Sequence, residues 1–559
     1  MSRLSRATRS LVSVFAAASL VMGATHAVAD EAAYPKAKLG SSVQTTPKVE
    51  KGDVDAFYSF DGVEPTTPGE ILKKKDAPYS NLGGEGDKTL PTQATKIMYT
   101  TTDANGNLVP VTGYVVEPQV AWKGKGPRPT LIVGRGTVGQ GDHCAPSRNW
   151  PMDGQPDPIA SGRTVSLEGL YEFAFAKYGV RVVVTDFIGM GTPGTHTYMN
   201  RLDQAHAVLD AGRAVKELVG QENFGKIGFY GHSQGGGAAA AAVEEAANYY
   251  SEAEQANIAG AYASAPPANL YEVARNIDGS DLSGAIGFTI NGLIERYPDK
   301  DLQSKLDKYL SEEGKETLKQ LSNECTTEIV SKPYVYQTTR DWTKDGRSLE
   351  EILTEPDMRD AMELLEAQRI GRGKPVAPVM IIGGRYDRQV EHKQARNLAM
   401  KWCTVDGASV YYRNDIAPEI EDGMPNHLVQ SITGPIFGLN FMLDRFNGKP
   451  LPESQTCKNF MGNEIKSVEE DPDETRLPGT DEYGSAIAAS SHLSSVPLSS
   501  DLVPDNAPET GPSSGVEGSG VSDPKQIIGL LAGAAILAVL AMVPGILNLL
   551  RNAGVKLPF

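Results

Sequence analysis

The sequence predicts an α/β fold: a mostly parallel sheet flanked by helices, with a helical insertion between two of its strands. Three observations predict it. Short apolar runs alternate with helical periodicity through the middle of the chain. A Gly-x-Ser-x-Gly pentapeptide stands at a strand-to-helix junction, and one long stretch without strand character interrupts the alternation.

Residues 95–102 and 108–117 are β-rich runs on either side of Asp103-Ala104-Asn105-Gly106, a turn sequence, and they read as a hairpin. Runs at 130–134, 180–186, 226–230, 258–263, 379–383 and 409–413 have the length and apolarity of strands buried on both faces. Between the second and third of these, Leu202, Ala205, Leu209 and Leu218 recur at helical spacing. Residues 270–373 show no clear strand but carry charged helical patterns at 302–321 and 349–370, which reads as a helical cap. Insertions at the C-terminal edge of the strands are where such folds place substrate selection. The catalytic core is thereby expected in two parts, residues 30–269 and 374–463.

Both ends lie outside that fold. In residues 1–29, Arg3, Arg6 and Arg9 precede a short apolar run, and Ala27-Val28-Ala29 supplies a small-residue cleavage pattern, so a secretory signal is expected. Residues 464–524 are rich in Ser, Gly, Pro, Asp and Glu and nearly without aromatics. Such a stretch buries too little apolar area to offset its ordering entropy, and it reads as a disordered stalk. Within residues 525–559, positions 527–550 carry no charge and are long enough to cross a bilayer as a helix. Pro544 and several glycines are tolerated there, and Arg551 and Lys556 should keep the tail cytoplasmic and the bulk outside. Leu477-Pro478-Gly479-Thr480-Asp481 is not a sorting signal: Asp481 stands where Gly is needed, and the apolar segment does not follow directly.

The 559 residues carry a net charge of −17, which disfavours nucleic acid and describes a solvated acidic surface. Four cysteines, Cys144, Cys325, Cys403 and Cys457, suggest two disulfides in an exported chain, with three pairings open. No pair has zinc-ligand spacing, so no metal is expected.

The chemistry centres on Gly231-His232-Ser233-Gln234-Gly235. A strand precedes it and Gly236-Gly237 opens a helix after it, the context of the nucleophile elbow of the α/β-hydrolase fold. Ser233 Oγ would stand above the sheet beside a helix N-terminus that favours developing negative charge. A serine hydroxyl needs a base, and the base needs a carboxylate to fix its tautomer. Three histidines follow Ser233: His492 lies in the stalk, His392 in a predicted helix, and His427 after the last predicted strand, where the base belongs. Asp387 follows the 379–383 strand and suits the acid, with Asp415 and Asp422 as rivals. One oxyanion donor is expected from the Gln234 N–H. The second should come from the loop after the 130–134 strand, hence from Gly136 or Thr137, Thr137 being the assignment.

With those residues in place, the chain resembles the LIP-type secretory lipases of actinobacteria and yeasts. The likeness is carried by Gly126-Pro127-Arg128-Pro129-Thr130 and by Gly136-Thr137-Val138-Gly139-Gln140-Gly141-Asp142 with Cys144-Ala145-Pro146-Ser147. It continues through Gly189-Met190-Gly191-Thr192-Pro193-Gly194-Thr195-His196-Thr197-Tyr198-Met199, the Ser233 elbow, Trp402-Cys403 and Arg445-Phe446 to Cys457. The resemblance implies a core with a helical cap and hydrolysis of acylglycerols or related esters; a lipid interface is the expected partner, and the chemistry requires no cofactor or metal. It implies Ser233, Asp387 and His427 as the triad, and Cys144–Cys325 and Cys403–Cys457 as the disulfides. The stalk and anchor lie outside it. His196 and Asp142 fall in matching stretches, with loop architecture as their expected use.

The expected mechanism is two-step acyl transfer: attack by Ser233, proton removal by His427, stabilisation of the imidazolium by Asp387, then release by water. An acyltransferase or peptidase would keep this chemistry and change the acceptor. An adhesion or scaffold protein with an idle site is the alternative of another class.

Overall fold

A computed structural model describes residues 55–59, 65–80, 91–152, 168–330, 333–414, 426–452 and 457. The expected signal, stalk and anchor, and with them Asp415, Asp422 and His492, lie outside the described residues.

Nine strands form one sheet among the described residues, in the order β1-β2-β3-β5-β4-β6-β7-β8-β9. They are β1 (Ile71–Pro78), β2 (Gln93–Thr102), β3 (Leu108–Val116), β4 (Thr130–Gly134), β5 (Arg181–Thr185), β6 (Ile227–His232), β7 (Ile258–Ser264), β8 (Val379–Ile382) and β9 (Val410–Arg413). β2 and β3 pair antiparallel with Thr102 opposite Leu108, the hairpin expected around Asp103–Gly106, and Asp103 caps its turn by accepting from the amides of Asn105 and Asn107. From β5 through β9 every pairing is parallel. β1 was not expected, because Lys73, Lys74 and Lys75 hide its strand character. Its lysines protect an edge strand from pairing with another chain.

The central parallel strands are mostly apolar, with every residue of β4, β5 and β8 buried, because helices cover both faces. Along β4, β5 and β8 the side chains divide by the period of two. Ile132, Val183, Val379 and Ile381 face one core with the helices Arg201–Val219, Gln234–Tyr249 and His392–Met400. Leu131, Val133, Val182, Val184, Met380 and Ile382 face the other, with Gly169–Ala176 and Asn426–Phe446. Each such fully buried Val or Ile contributes about 1.5–3 kcal/mol.

Between β7 and β8 the chain leaves the sheet. Its helices include Leu270–Ile277, Gly284–Arg296, Leu302–Asp307, Glu312–Leu321 and Arg359–Ala367, around a core of their own that includes Phe288, Leu310, Leu321, Ile329 and Trp342. The pattern at 302–321 is two helices rather than one: Ser311 caps the second by accepting from the Gly314 amide. Pro356 likewise divides the pattern at 349–370.

The insertion is fixed to the sheet domain by ionic and covalent links. The buried Arg296 guanidinium reaches Asp103 at 2.5 Å and Asp203 at 2.7 Å. Cys144–Cys325 is one disulfide and Cys403–Cys457 the other, the pairing the resemblance implied. The first spans 181 residues of sequence, so it removes much of the freedom of the unfolded chain. Replacing both Cys144 and Cys325 by alanine is expected to cost about 2–5 kcal/mol, read as a lowered denaturation midpoint.

Candidate active site

Ser233 joins β6 to the helix Gln234–Tyr249 with φ 56° and ψ −123°, a left-handed backbone that a non-glycine residue adopts only under constraint. The constraint is visible around it. The Ser233 amide donates to Ser264 O at 2.9 Å, holding the turn to β7. A Cβ on Gly235 would lie 2.0 Å from Gly134 O, and one on Gly231 would lie 2.3 Å from the Gly235 carbonyl carbon. The two flanking glycines therefore let strand, turn and helix pass at backbone contact distance.

The structure brings Ser233, His427 and Asp387 together. Ser233 Oγ is 2.8 Å from His427 Nε2, and His427 Nδ1 is 2.6 Å from Asp387 Oδ2. With Nδ1–H donating to the carboxylate, Nε2 is left as the acceptor for the Ser233 hydroxyl. Asp387 lies beyond β8 and its Oδ1 accepts from the amides of Gln389 and Val390 at 2.9 and 3.0 Å. Its Oδ2 also accepts from Gln430 Nε2, a fully buried side chain one helical turn beyond His427 on the helix Asn426–Phe446. All three residues are less than a tenth exposed. Burial pulls the His427 pKa down, but the charge and hydrogen bond of Asp387 outweigh it, and the imidazole is held above the ordinary histidine value.

A second imidazole lies alongside. His232, the residue before Ser233, packs against His427 with ring centroids 4.6 Å apart and Nδ1 3.0 Å from Ser264 Oγ. Burial, followed by repulsion from His427, holds its pKa well below the usual range, so His232 is neutral and packs rather than titrates.

The loop after β4 bears on the expected oxyanion donors. The Gly136 amide donates to Glu168 Oε2 at 2.8 Å, so it is engaged, which leaves Thr137 of the two positions considered. Thr137 Oγ1 lies 2.7 Å from the Tyr198 hydroxyl. Gln234 begins its helix, where the first N–H groups have no intrahelical partner. Glu168 is buried beside Arg135, which reaches Tyr114 at 2.7 Å and also pairs with the buried Glu172. Burial pushes the Glu168 carboxyl up to about 7, against the pull of Arg135, the Gly136 amide and His427.

Sequence reasoning gave His196 and Asp142 only to loop architecture, and the structure makes both more specific. His196 Nδ1 donates to Ile188 O at 2.9 Å, and its Nε2 meets Gln234 Nε2 at 2.9 Å, so it orients the side chain next to the nucleophile. Burial lowers the His196 pKa to about 4, which keeps that nitrogen an acceptor. Asp142 accepts from the Gly191 amide at 3.1 Å. Gln430 and Glu168 were missed. Gln430 had a usable signal, three residues after His427 and on the same helical face. Glu168 had none, because only the tertiary fold sets it beneath Gly136.

Strand order, elbow and bonded Ser, His and Asp define a member of the α/β-hydrolase class. The family model described as "Secretory lipase" matches residues 158–454, just over half of the chain, and the chain belongs to that family. A protein named "Probable inactive lipase" from Mycobacterium tuberculosis is 26% identical over 412 residues, covering 71% of this chain and 83% of that one. A secreted triacylglycerol lipase of Malassezia furfur is 28% identical over 327 residues, covering 57% and 78%. Among solved structures, lipase A of Candida antarctica superposes with a TM-score of 0.57 at 20% identity, covering 70% of this chain and 84% of that one. A rice cell wall degrading esterase from Xanthomonas oryzae gives 0.54 at 16%, covering 68% and 100%. Likenesses at such identity speak to the fold alone.

Proposed function

We propose that this chain is an exported carboxylic ester hydrolase, a triacylglycerol lipase by substrate class, that works through an acyl-enzyme on Ser233. The observation that carries it is the unbroken run of hydrogen bonds from Ser233 Oγ through His427 to Asp387 at a strained strand-to-helix turn. His427 takes the Ser233 proton as Oγ attacks the ester carbonyl, and Asp387 balances the imidazolium that forms. The amides of Gln234 and Thr137 hold the oxyanion, His427 returns the proton to the leaving alcohol, and water repeats the sequence to free the acid. No step calls on a cofactor.

The secreted lipase among the relatives supports export, as does the signal pattern in residues 1–29. The insertion 270–373 is assigned as the cap over the site, and residues 464–524 and 525–559 as stalk and membrane anchor. Among the described residues no helix is long and apolar enough to cross a membrane, so the anchor rests on the sequence of positions 527–550.

The test is hydrolysis of p-nitrophenyl esters from acetyl to palmitoyl by the full chain and by Ser233→Ala. Activity that rises with chain length and disappears in the variant supports a lipase. Activity confined to short chains reduces it to an esterase. The relative named inactive gives the idle-site alternative its one support, and failure of a fluorophosphonate to label Ser233 would favour that alternative.

The pH profile tests the assignment of the base. His427 must be neutral to accept the serine proton, so kcat/KM should rise with pH through a pKa above the ordinary histidine value. Glu168 is one of the carboxylates that raise that value. Glu168→Gln keeps an acceptor for the Gly136 amide and removes the charge, so the acid limb should move to lower pH. An unmoved limb would separate Glu168 from the base.

A further inference from the structure

The oxyanion loop is not held by the sheet domain alone. Its residues 137–140 pair with residues 324–326 of the helical insertion. The Thr326 amide donates to Val138 O at 2.9 Å, and the Gln140 amide to Glu324 O at 2.9 Å. Gly139 and Cys325 form an antiparallel bridge, with the Cys144–Cys325 disulfide alongside. A Cβ on Gly139 would stand 2.4 Å from Cys325 Cα, so the two backbones touch. Within this pairing one bond reaches the residue assigned as oxyanion donor: Thr326 Oγ1 donates to Thr137 O at 2.7 Å.

That bond completes a symmetrical restraint. The peptide group before the donor is pinned where Glu168 accepts the Gly136 amide at 2.8 Å. The peptide group after it is pinned where Thr137 O accepts from Thr326. Between them stands the Gly136–Thr137 peptide, whose N–H is the assigned donor. A peptide plane with both neighbours fixed has few directions left for its N–H, and an oxyanion donor must be fixed before charge develops. Displacements near 1 Å in such groups cost roughly 10²-fold in rate.

We propose that Thr326, a residue of the insertion, is a positioning residue for the oxyanion hole, and that the 324–326 segment belongs to the catalytic framework. This rests on the ester hydrolase reading of Ser233 and on Thr137 as donor. One consequence is mechanical. The insertion cannot lift from the site as a single rigid lid without carrying the oxyanion loop with it, so substrate must enter by movement of parts of the insertion other than 324–326.

The experiment compares Thr326→Val and Thr326→Ser in the full chain, on p-nitrophenyl butyrate, with active sites counted by fluorophosphonate titration. Valine keeps the branched shape and loses the donor, whereas serine keeps the donor. For valine, kcat per titrated site should fall about tenfold, less than the roughly 10²–10³ lost when a donor is removed outright, with KM within about twofold. Serine should restore kcat to within about twofold of wild type. Affinity for an alkyl boronic acid, which forms a tetrahedral adduct on Ser233, should weaken in valine alone. An unchanged kcat in Thr326→Val, or an equal fall in Thr326→Ser, overturns the proposal while leaving the hydrolase reading intact. A silent wild type, or full activity in Ser233→Ala, overturns both. If Thr326→Val does not fold, Thr326→Ala against Thr326→Ser makes the same comparison.

Discussion

Replacement of Ser233 by alanine is expected to lower kcat/KM on p-nitrophenyl butyrate by roughly 10⁴–10⁶-fold. The size follows from what the hydroxyl does. Without Oγ no acyl-enzyme forms, and His427 is left to direct a water that nothing positions. A residual rate above solution remains expected, because the amides assigned to the oxyanion keep their places when one side-chain oxygen is removed. The elbow itself should survive, since Ser233→Ala leaves the glycine contacts and the Ser233 N–H bond to Ser264 O unchanged, although alanine inherits the strained φ of 56°. Circular dichroism should be unaltered and fluorophosphonate labelling lost. A variant that kept more than a tenth of the activity would show the nucleophile to be elsewhere.

The parallel part of the sheet was legible for a physical reason. Strands buried on both faces are apolar along most of their length, so β4 to β8 stand out as runs, and observed and expected bounds differ by a residue or two. β1 was illegible because its edge position favours the lysines that erase the alternation. In the insertion the helix Gly284–Arg296 carried no clear signal, since Gly284, Gly287 and Gly292 weaken a helical pattern. They are there for contact: a Cβ on Gly287 would lie 2.4 Å from Leu321 Cδ1. Propensity is local, and this packing between two helices is not.

The site divides along the same line. Ser233 was legible because its turn imposes glycines within two residues on either side. Asp387 and His427 were reached by chain order and elimination, which works only because so few histidines follow Ser233. The residues around these three, Gln430 on Asp387, Glu168 on the Gly136 amide, His196 on the Gln234 side chain and Thr326 on Thr137 O, come from four separate parts of the chain. Each acts through a contact that exists only after folding, and of these only Gln430, three residues after His427 on one helix, had a local spacing that could point to it.

Asp387→Asn should lower kcat near neutral pH by roughly 10⁴-fold, the loss expected when the base is held in the wrong tautomer. The argument is one of donors and acceptors. Asp387 Oδ2 accepts from both His427 Nδ1 and Gln430 Nε2, while Oδ1 accepts the Gln389 and Val390 amides. An asparagine oxygen can serve the two amides, but its NH₂ then faces His427 and Gln430 as a donor. His427 escapes the conflict by carrying its proton on Nε2, where it points at Ser233 Oγ and can accept nothing from it. The surviving rate should also depend on pH in a defined sense. In the wild type, Asp387 holds the His427 pKa above the ordinary value against burial, which lowers it. With the carboxylate gone, burial acts with less opposition, so the acid limb of kcat/KM should move to lower pH. A purely structural loss would scale the whole profile down and leave that limb where it was, and a pH series on the purified variant separates the two.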